Sequence, residues 1–412
     1  MSYTLKKLYH IDKDKYRQEY EKRFCCEDTV HIDFYIGDNQ AFVCQSVEIL
    51  NLIISIERTD KAVNKLYDRL PKKAITQFAN RCLIDEIVLS NNIEGVHSTR
   101  KELNDILNDL SGNNKRQRFY GLVNKYKMLF SEDNIRIETC RDIRKIYDDI
   151  FLDEIKSTDS KNQPDGEIFR KSGVSVYSPT EREIHKGLCP EEKIISAMDS
   201  SLELLKNDKL DILIRIALFH YLFGYIHPFY DGNGRTSRFI SSYLLSRELN
   251  HLIGYRISYT IKEHLNEYYK AFDVCNNPLN KGELTPFVEM FLKIIDISHK
   301  QLYYALEKRV NDLERYRLIL KKLLPENSSA FNLYFVLVQA TLFSNNGITV
   351  KELKQHFEIS ENTMRKMLRD IPKNLLVIDK NDREYHYLMN LSELDSFFHS
   401  TEFHKMDSSR NG

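Results

Sequence analysis

The sequence predicts a mostly α-helical protein with one β-hairpin inserted and a small winged-helix domain at its C-terminal end. Three observations predict it. Gly (14) and Pro (9) make up 23 of 412 residues, just under half the average usage. Apolar residues recur at helical spacing through most of the chain. The last 80 residues then change to short helices and a short alternating pair of strands.

The elements follow in order. His31–Gly37 alternates as a short strand, and Val47–Ile56 has helical periodicity. Pro71 stands in the first turn of a helix that runs to Glu94, where its missing amide costs little, and Gly95 stops it. Helices are expected over 99–110, 116–130 and 138–156, with a polar loop STDSKNQPDG from Ser157 to Gly166. Gly173–Gly187 alternates on either side of Ser178-Pro-Thr180 and reads as a hairpin. Helices are expected over 190–206, 209–226, 234–248, 260–274 and 285–323, and Pro325–Ala330 reads as a linker. Phe331–Phe343, Thr349–Phe357 and Glu361–Asp370, the last capped by Ser360, precede strands at Leu375–Asp379 and Glu384–Met389 around Lys380–Arg383. Helix, helix-turn-helix, hairpin is the winged-helix order.

Composition narrows the function. Sixty basic and 60 acidic side chains cancel, which argues against bulk-charge coating of nucleic acid or anionic membrane. Seven scattered cysteines without CxxC spacing exclude a disulfide scaffold or a cysteine zinc site and fit a reducing cytoplasm. No apolar leader opens the sequence, and the most apolar stretch, Leu210–Ile226, carries Asp211, Arg215 and His220. A soluble cytoplasmic protein is expected.

The chemistry is concentrated in His227-Pro-Phe-Tyr-Asp-Gly-Asn-Gly-Arg-Thr-Ser-Arg238. Pro228 ends the preceding helix, and a new one begins near Gly234 with Asn233 as its expected cap. Glycines just before a helix let backbone N–H groups approach an anion, and the helix dipole adds positive potential. Arg235 and Arg238 are three apart, hence expected on one face, at the helix end where cations are disfavoured. A bound polyanion resolves that conflict. Asp231 offers a hard oxygen suited to Mg²⁺, and His227 can take a proton near neutral pH. A histidine at a helix end and a Gly-Asn-Gly turn are each commonplace, but twelve consecutive residues in this order describe a nucleotide-phosphate site.

HPFYDGNGRTSR resembles the signature of the Fic-domain family, HPFx(D/E)GNGRxxR, with every fixed position filled. The resemblance implies a Fic-type helical bundle that transfers a nucleoside monophosphate, usually AMP from ATP, to a hydroxyl side chain (Tyr, Thr or Ser) of a protein, including itself. It implies that His227 is the base, Asp231 the Mg²⁺ ligand, Gly232–Asn233–Gly234 the anion hole, and Arg235 and Arg238 the phosphate grip. Gly234, where the phosphorylating Doc group commonly has Lys, points to AMP transfer. The hairpin resembles the family's flap, which aligns a target segment by strand pairing. Tyr268-Tyr-Lys-Ala-Phe272 and Leu284–Phe291 resemble its downstream helices.

Ser90-Asn-Asn-Ile-Glu-Gly95 places Ser90 and Glu94 on one helical face before a stop. A carboxylate there opposes the dipole and gains from an arginine. The segment resembles the inhibitory motif (S/T)xxxE(G/N) of class II members, whose inhibitory helix precedes the core. The implication is that Glu94 pairs with Arg238 and blocks a productive ATP pose, with Ser90 and Gly95 completing the motif. The expected division is 1–110 for the N-terminal region with this helix, 111–324 for the catalytic core and 331–412 for the winged helix.

Two alternatives stand beside adenylyl transfer. One is removal of AMP, or transfer of another nucleotide, at the same site. The other is a DNA-binding regulator whose Fic site senses nucleotide. Over 351–370, five basic residues (Lys351, Lys354, Arg365, Lys366, Arg369) face four acidic ones, so DNA is weakly supported as a partner. A homodimer is left open, as are the target protein and the nucleobase.

Overall fold

The computed structural model of the chain describes residues 3–109, 117–131, 134–177, 183–326, 328–380 and 384–396. Two short helices open it, α1 (Leu5–Ile11) and α2 (Lys13–Phe24), capped by Thr4 and by Asp12, which accepts from the Asp14 and Lys15 N–H groups. Periodicity does not reveal α2, because Tyr16 is its single buried residue. The strand expected at His31–Gly37 is β1 (Thr29–Ile36), and it has an antiparallel partner, β2 (Asn39–Cys44). Gly37, at φ +59°, makes the turn between them.

Helices follow as α3 (Val47–Tyr67), α4 (Lys72–Ile93), α5 (Arg100–Asn108) and α6 (Tyr120–Lys127). Gly95, at φ +72°, turns the chain after α4 as expected. A capping box formed by Thr139 and Asp142 starts α7 (Cys140–Thr158). Strands β3 (Ser175–Tyr177) and β4 (Glu183–Lys186) pair antiparallel as the expected hairpin, whose turn at Ser178–Thr180 lies outside the described residues.

Then come α8 (Glu191–Leu205), α9 (Ile212–Ile226) and α10 (Asn233–Glu248). Helix α9 is apolar nearly all round and buried on every face, which makes it the axis of the core. Helix α10 packs against it and is also buried on most sides, including Arg235 and Arg238. The single helix expected at 260–274 is two, α11 (Ile257–Glu263) and α12 (Leu265–Asn276), broken at His264, where φ is −114°. No Pro or Gly marks that break in the sequence.

The chain forms two compact units, one of residues 1–63 and 82–302, the other of 64–81 and 303–412. The 39-residue α13 (Thr285–Leu323) runs through both. In the second unit come α14 (Ser329–Phe343), β5 (Ile348–Thr349), α15 (Val350–Phe357) and α16 (Glu361–Arg369). Strands β6 (Leu376–Asp379) and β7 (His386–Met389) complete a sheet of order β5–β7–β6. The turn residues 381–383 between them, and 397–412, lie outside the described residues. Ser360 caps α16 as expected, and Arg365 on that helix is held by Glu361 at 2.7 Å. Among the described residues, no helix is long and apolar enough to cross a membrane.

Candidate active site

The site lies between α9 and α10. Helix α9 ends at Ile226, and His227 takes a left-handed backbone at φ +53° immediately before Pro228. The loop is pinned from below. Phe229 is fully buried and stacks on Tyr147 of α7 at 3.6 Å and 12°. Tyr230 donates from its hydroxyl to Asp165 at 2.9 Å. Gly232 sits at φ +79°, a conformation that glycine adopts without strain, and α10 starts at the next residue.

Asn233 does not cap α10, contrary to expectation. Its amide accepts from the Phe229 N–H at 2.9 Å and donates to the Phe229 carbonyl at 2.8 Å. The side chain thus ties the loop into a ring and leaves the first amides of α10 without a side-chain cap.

A cavity of about 150 Å³ opens at this helix start, lined by Glu94, His227, Gly234, Arg238, Tyr269 and Asn276 among others. Arg238 is 1% exposed. Its Nε donates to Ser90 Oγ at 3.0 Å, and its Nη2 donates to the Ser90 carbonyl at 2.9 Å and to Glu94 Oε1 at 2.8 Å. Burial works against the Arg238 charge, but Glu94 outweighs it and holds the guanidinium above its ordinary value. Gly234 permits this approach: a Cβ there would stand 2.1 Å from Glu94 Oε1. Ser90, Glu94 and Arg238 therefore meet, and Gly95 turns the chain just beyond them.

Arg235 is elsewhere. The two arginines were expected on one face, yet Arg235 points to α7, where Nη1 lies 2.9 Å from Glu154 and the guanidinium rests over the Phe151 ring at 4.4 Å. Both Arg235 and Glu154 are buried, so the charge is satisfied by a carboxylate that spacing within the loop could not reveal. Asp231 is exposed; its Oδ1 accepts from the Gly232 N–H at 2.6 Å and its Oδ2 lies 3.8 Å from Arg235.

His227 has its pKa pushed down to about 4, chiefly by burial. A hydrogen bond to the Gly224 backbone and the charge of Glu94 oppose that shift, while Arg170 and His185 add to it. The ring is neutral at physiological pH. Behind the cavity, His220 is buried and held down to about 3 by burial and by Arg238; it bonds the Tyr268 hydroxyl at 2.7 Å and Ser241 Oγ at 2.8 Å. Tyr268 is thus a core residue. Three residues that the sequence did not flag complete the surroundings: Arg170, Glu154 and Asn276, whose Oδ1 accepts from the Tyr221 hydroxyl at 2.6 Å.

Fold and loop together define a helical domain with a cavity at one helix start, lined by a buried arginine and the carboxylate it holds. Residues 138–245 match the model of the Fic/DOC family. The chain is 42% identical over 72 residues to the protein adenylyltransferase Fic of Aedes aegypti, covering 18% of this chain and 13% of that one. The counterpart from Drosophila yakuba is 40% identical over 86 residues, 21% of this chain and 15% of that one. The chain thus spans about an eighth of the length of these curated relatives. The crystal structure of a Fic family protein from Desulfovibrio desulfuricans G20 superposes with a TM-score of 0.51 at 18% identity, over 84% of this chain and 96% of that one. That likeness bears on the fold alone.

Proposed function

We propose that the protein transfers AMP from ATP to a hydroxyl side chain of a protein, itself included, and that Glu94 holds it inactive. One observation carries the reading. The Glu94 carboxylate lies against Gly234 and on Arg238, so an anionic oxygen already occupies the cradle at the start of α10, standing in for a nucleotide phosphate oxygen. The relatives that share this segment are named protein adenylyltransferase.

In the transfer step, neutral His227 takes the proton of the target hydroxyl. The hydroxyl oxygen bonds to the α-phosphorus as the bond to the β-phosphate oxygen breaks, leaving AMP on the target and pyrophosphate as product. Arg238 and the amides of Gly232, Asn233 and Gly234 hold the phosphates. Arg235, engaged with Glu154, keeps α10 and its cradle fixed to α7. The exposed carboxylate of Asp231, beside the start of α10, is the hard oxygen ligand that would hold Mg²⁺ on the nucleotide phosphates. When bound, the ion neutralises phosphate charge.

The cavity of about 150 Å³ is well below the roughly 300–1,000 Å³ of ligand sites, as expected if Glu94 must leave before ATP is productively seated. Glu94 and His227 line the same cavity, which leaves open a second use of this carboxylate: orienting water for removal of AMP. The test supplies ATP labelled at the α- or at the γ-phosphate to the Glu94→Gly protein with Mg²⁺. Covalent label from the α position alone, lost in Glu94→Gly/His227→Ala, is the expected result. Label from the γ position, or from neither, refutes AMP transfer; release of AMP from a modified target by the Glu94-containing protein would support the second use.

A further inference from the structure

We propose that Arg170 is a positioning residue that ties the backbone of His227 to the root of the β3–β4 hairpin and so sets the aim of the histidine ring. The inference rests on the proposed role of His227 in transfer, and its test also reads out where transfer is not measured.

Arg170 is wholly buried, and among the described residues no carboxylate lies within ion-pair distance of it. Burying an unpaired guanidinium is costly, so its donors must be spent on something that needs them. They are spent on carbonyls of three separate segments. Nε donates to the His227 carbonyl at 2.9 Å, Nη2 to the Leu188 carbonyl at 2.9 Å, and Nη1 to the Ser172 carbonyl. The Arg170 N–H adds a bond to the Pro228 carbonyl at 3.3 Å.

His227 requires such a tie. Its φ of +53° is one that a residue with a Cβ holds only when its surroundings impose it. The turn takes its carbonyl out of the α9 ladder, and Arg170 supplies the donor. The hairpin root is bound to the same place. The Leu188 N–H donates to the Ile226 carbonyl at 3.1 Å, and His185 of β4 bonds the Tyr225 carbonyl at 2.6 Å with its ring stacked on Tyr225. Gly187 lies where the three meet: a Cβ there would stand 2.4 Å from Arg170 Nη2 and 2.9 Å from His227 Cβ. A shift of the hairpin root therefore reaches the His227 carbonyl through the Arg170 guanidinium as well as through these backbone bonds.

The test compares Arg170→Gln, Arg170→Lys and Gly187→Ala in the Glu94→Gly protein. Gly187→Ala also crowds the His227 Cβ directly, so Arg170→Lys, which keeps the charge but loses the forked donors, tests the tie if Arg170→Gln fails to fold. Melting establishes folding, calorimetry gives ATP affinity, and the His227 ring carbon signal, assigned by its loss in His227→Ala, gives ring environment and titration by NMR. With Arg170 removed, burial and His185 still depress the ring, and the Gly224 bond still opposes them. The expected result in folded Arg170→Gln is a displaced His227 signal titrating closer to its ordinary value. Gly187→Ala is expected to displace the signal too, and Arg170→Lys to fall in between. ATP affinity is expected within about threefold of the parent while the transfer rate falls about a hundredfold, the scale of a misplacement near 1 Å. Folded variants with the parent's His227 signal and titration overturn the proposal, as does a transfer rate that falls only in step with ATP affinity. If the Glu94→Gly protein transfers no α-phosphate label, the transfer reading fails by itself and the NMR arm still decides on Arg170.

Discussion

Replacing Glu94 by Gly isolates one contact. The residue lies just beyond the end of α4, where glycine is well tolerated, so the helix itself is little affected. Arg238 keeps its two bonds to Ser90 and loses the third, to Glu94 at 2.8 Å. A hydrogen bond between charged groups is worth about 1.5–3 kcal/mol, and with the Glu94 side chain 32% exposed the lower part of that range applies, about 1.5–2 kcal/mol. That amount should be lost from the stability of the nucleotide-free protein, lowering the melting temperature of a chain this long by about 2 °C. The same contact must be broken whenever a phosphate takes Arg238, so its removal should tighten ATP by roughly 10–30-fold. Calorimetric titration of ATP and Mg²⁺ into parent and variant, with melting curves in both states, measures both quantities. A lowered melting temperature together with an ATP affinity within twofold of the parent would refute the competition, because the bridge would then be broken without effect on the nucleotide.

Three further outcomes follow from the same geometry. Gly234→Ala should push Glu94 off Arg238, so its cost in stability should shrink by about 1 kcal/mol or more when Glu94 is already Gly, as read from a double-mutant cycle by denaturation. Because His227 is depressed to about 4 in the free protein and Glu94, which opposes that shift, is absent from Glu94→Gly, the acid limb of its kcat/KM should lie at about pH 4 or below, and a limb centred at 6.5 would contradict a neutral imidazole. Glu86 is fully buried, accepts two bonds from the Ser258 N–H and is raised by burial to about 7, so the folded state holds its proton more tightly than the unfolded state. Its stabilising effect is full below about pH 4.5 and lost as pH rises through 7, on the order of 3 kcal/mol; Glu86→Gln should be the more stable protein at pH 8 and lose that advantage at pH 5.

What the sequence made legible is what lies contiguous along the chain. The twelve residues from His227 to Arg238 fold as one loop and one helix start, so their order alone carries the turn, the glycines and the cradle. Glu94 was reachable only through its resemblance to an inhibitory motif, since nothing local says that an arginine 144 positions later will meet it. The N-terminal helices escaped because their signal is in caps rather than in an apolar stripe. The side chains misread or missed share a different cause. Arg235 and Arg238 are equivalent by spacing, but one turns to Glu154 of α7 and the other to Ser90 and Glu94, and periodicity fixes faces without naming partners.

Arg170 shows the same limit most sharply, and also the clue that was present. An arginine directly after Ile168 and Phe169, both buried, belongs to a stretch whose burial leaves its charge only the interior. Glu167, three residues earlier, is taken by Arg141 at 2.7 Å, so backbone carbonyls are the remaining acceptors. Carbonyls left over in a folded core are found where a helix ends or the chain turns, and here both happen at His227. A buried arginine without a carboxylate is therefore a pointer to irregular backbone, and in this protein the irregular backbone it holds belongs to the histidine at the centre of the site.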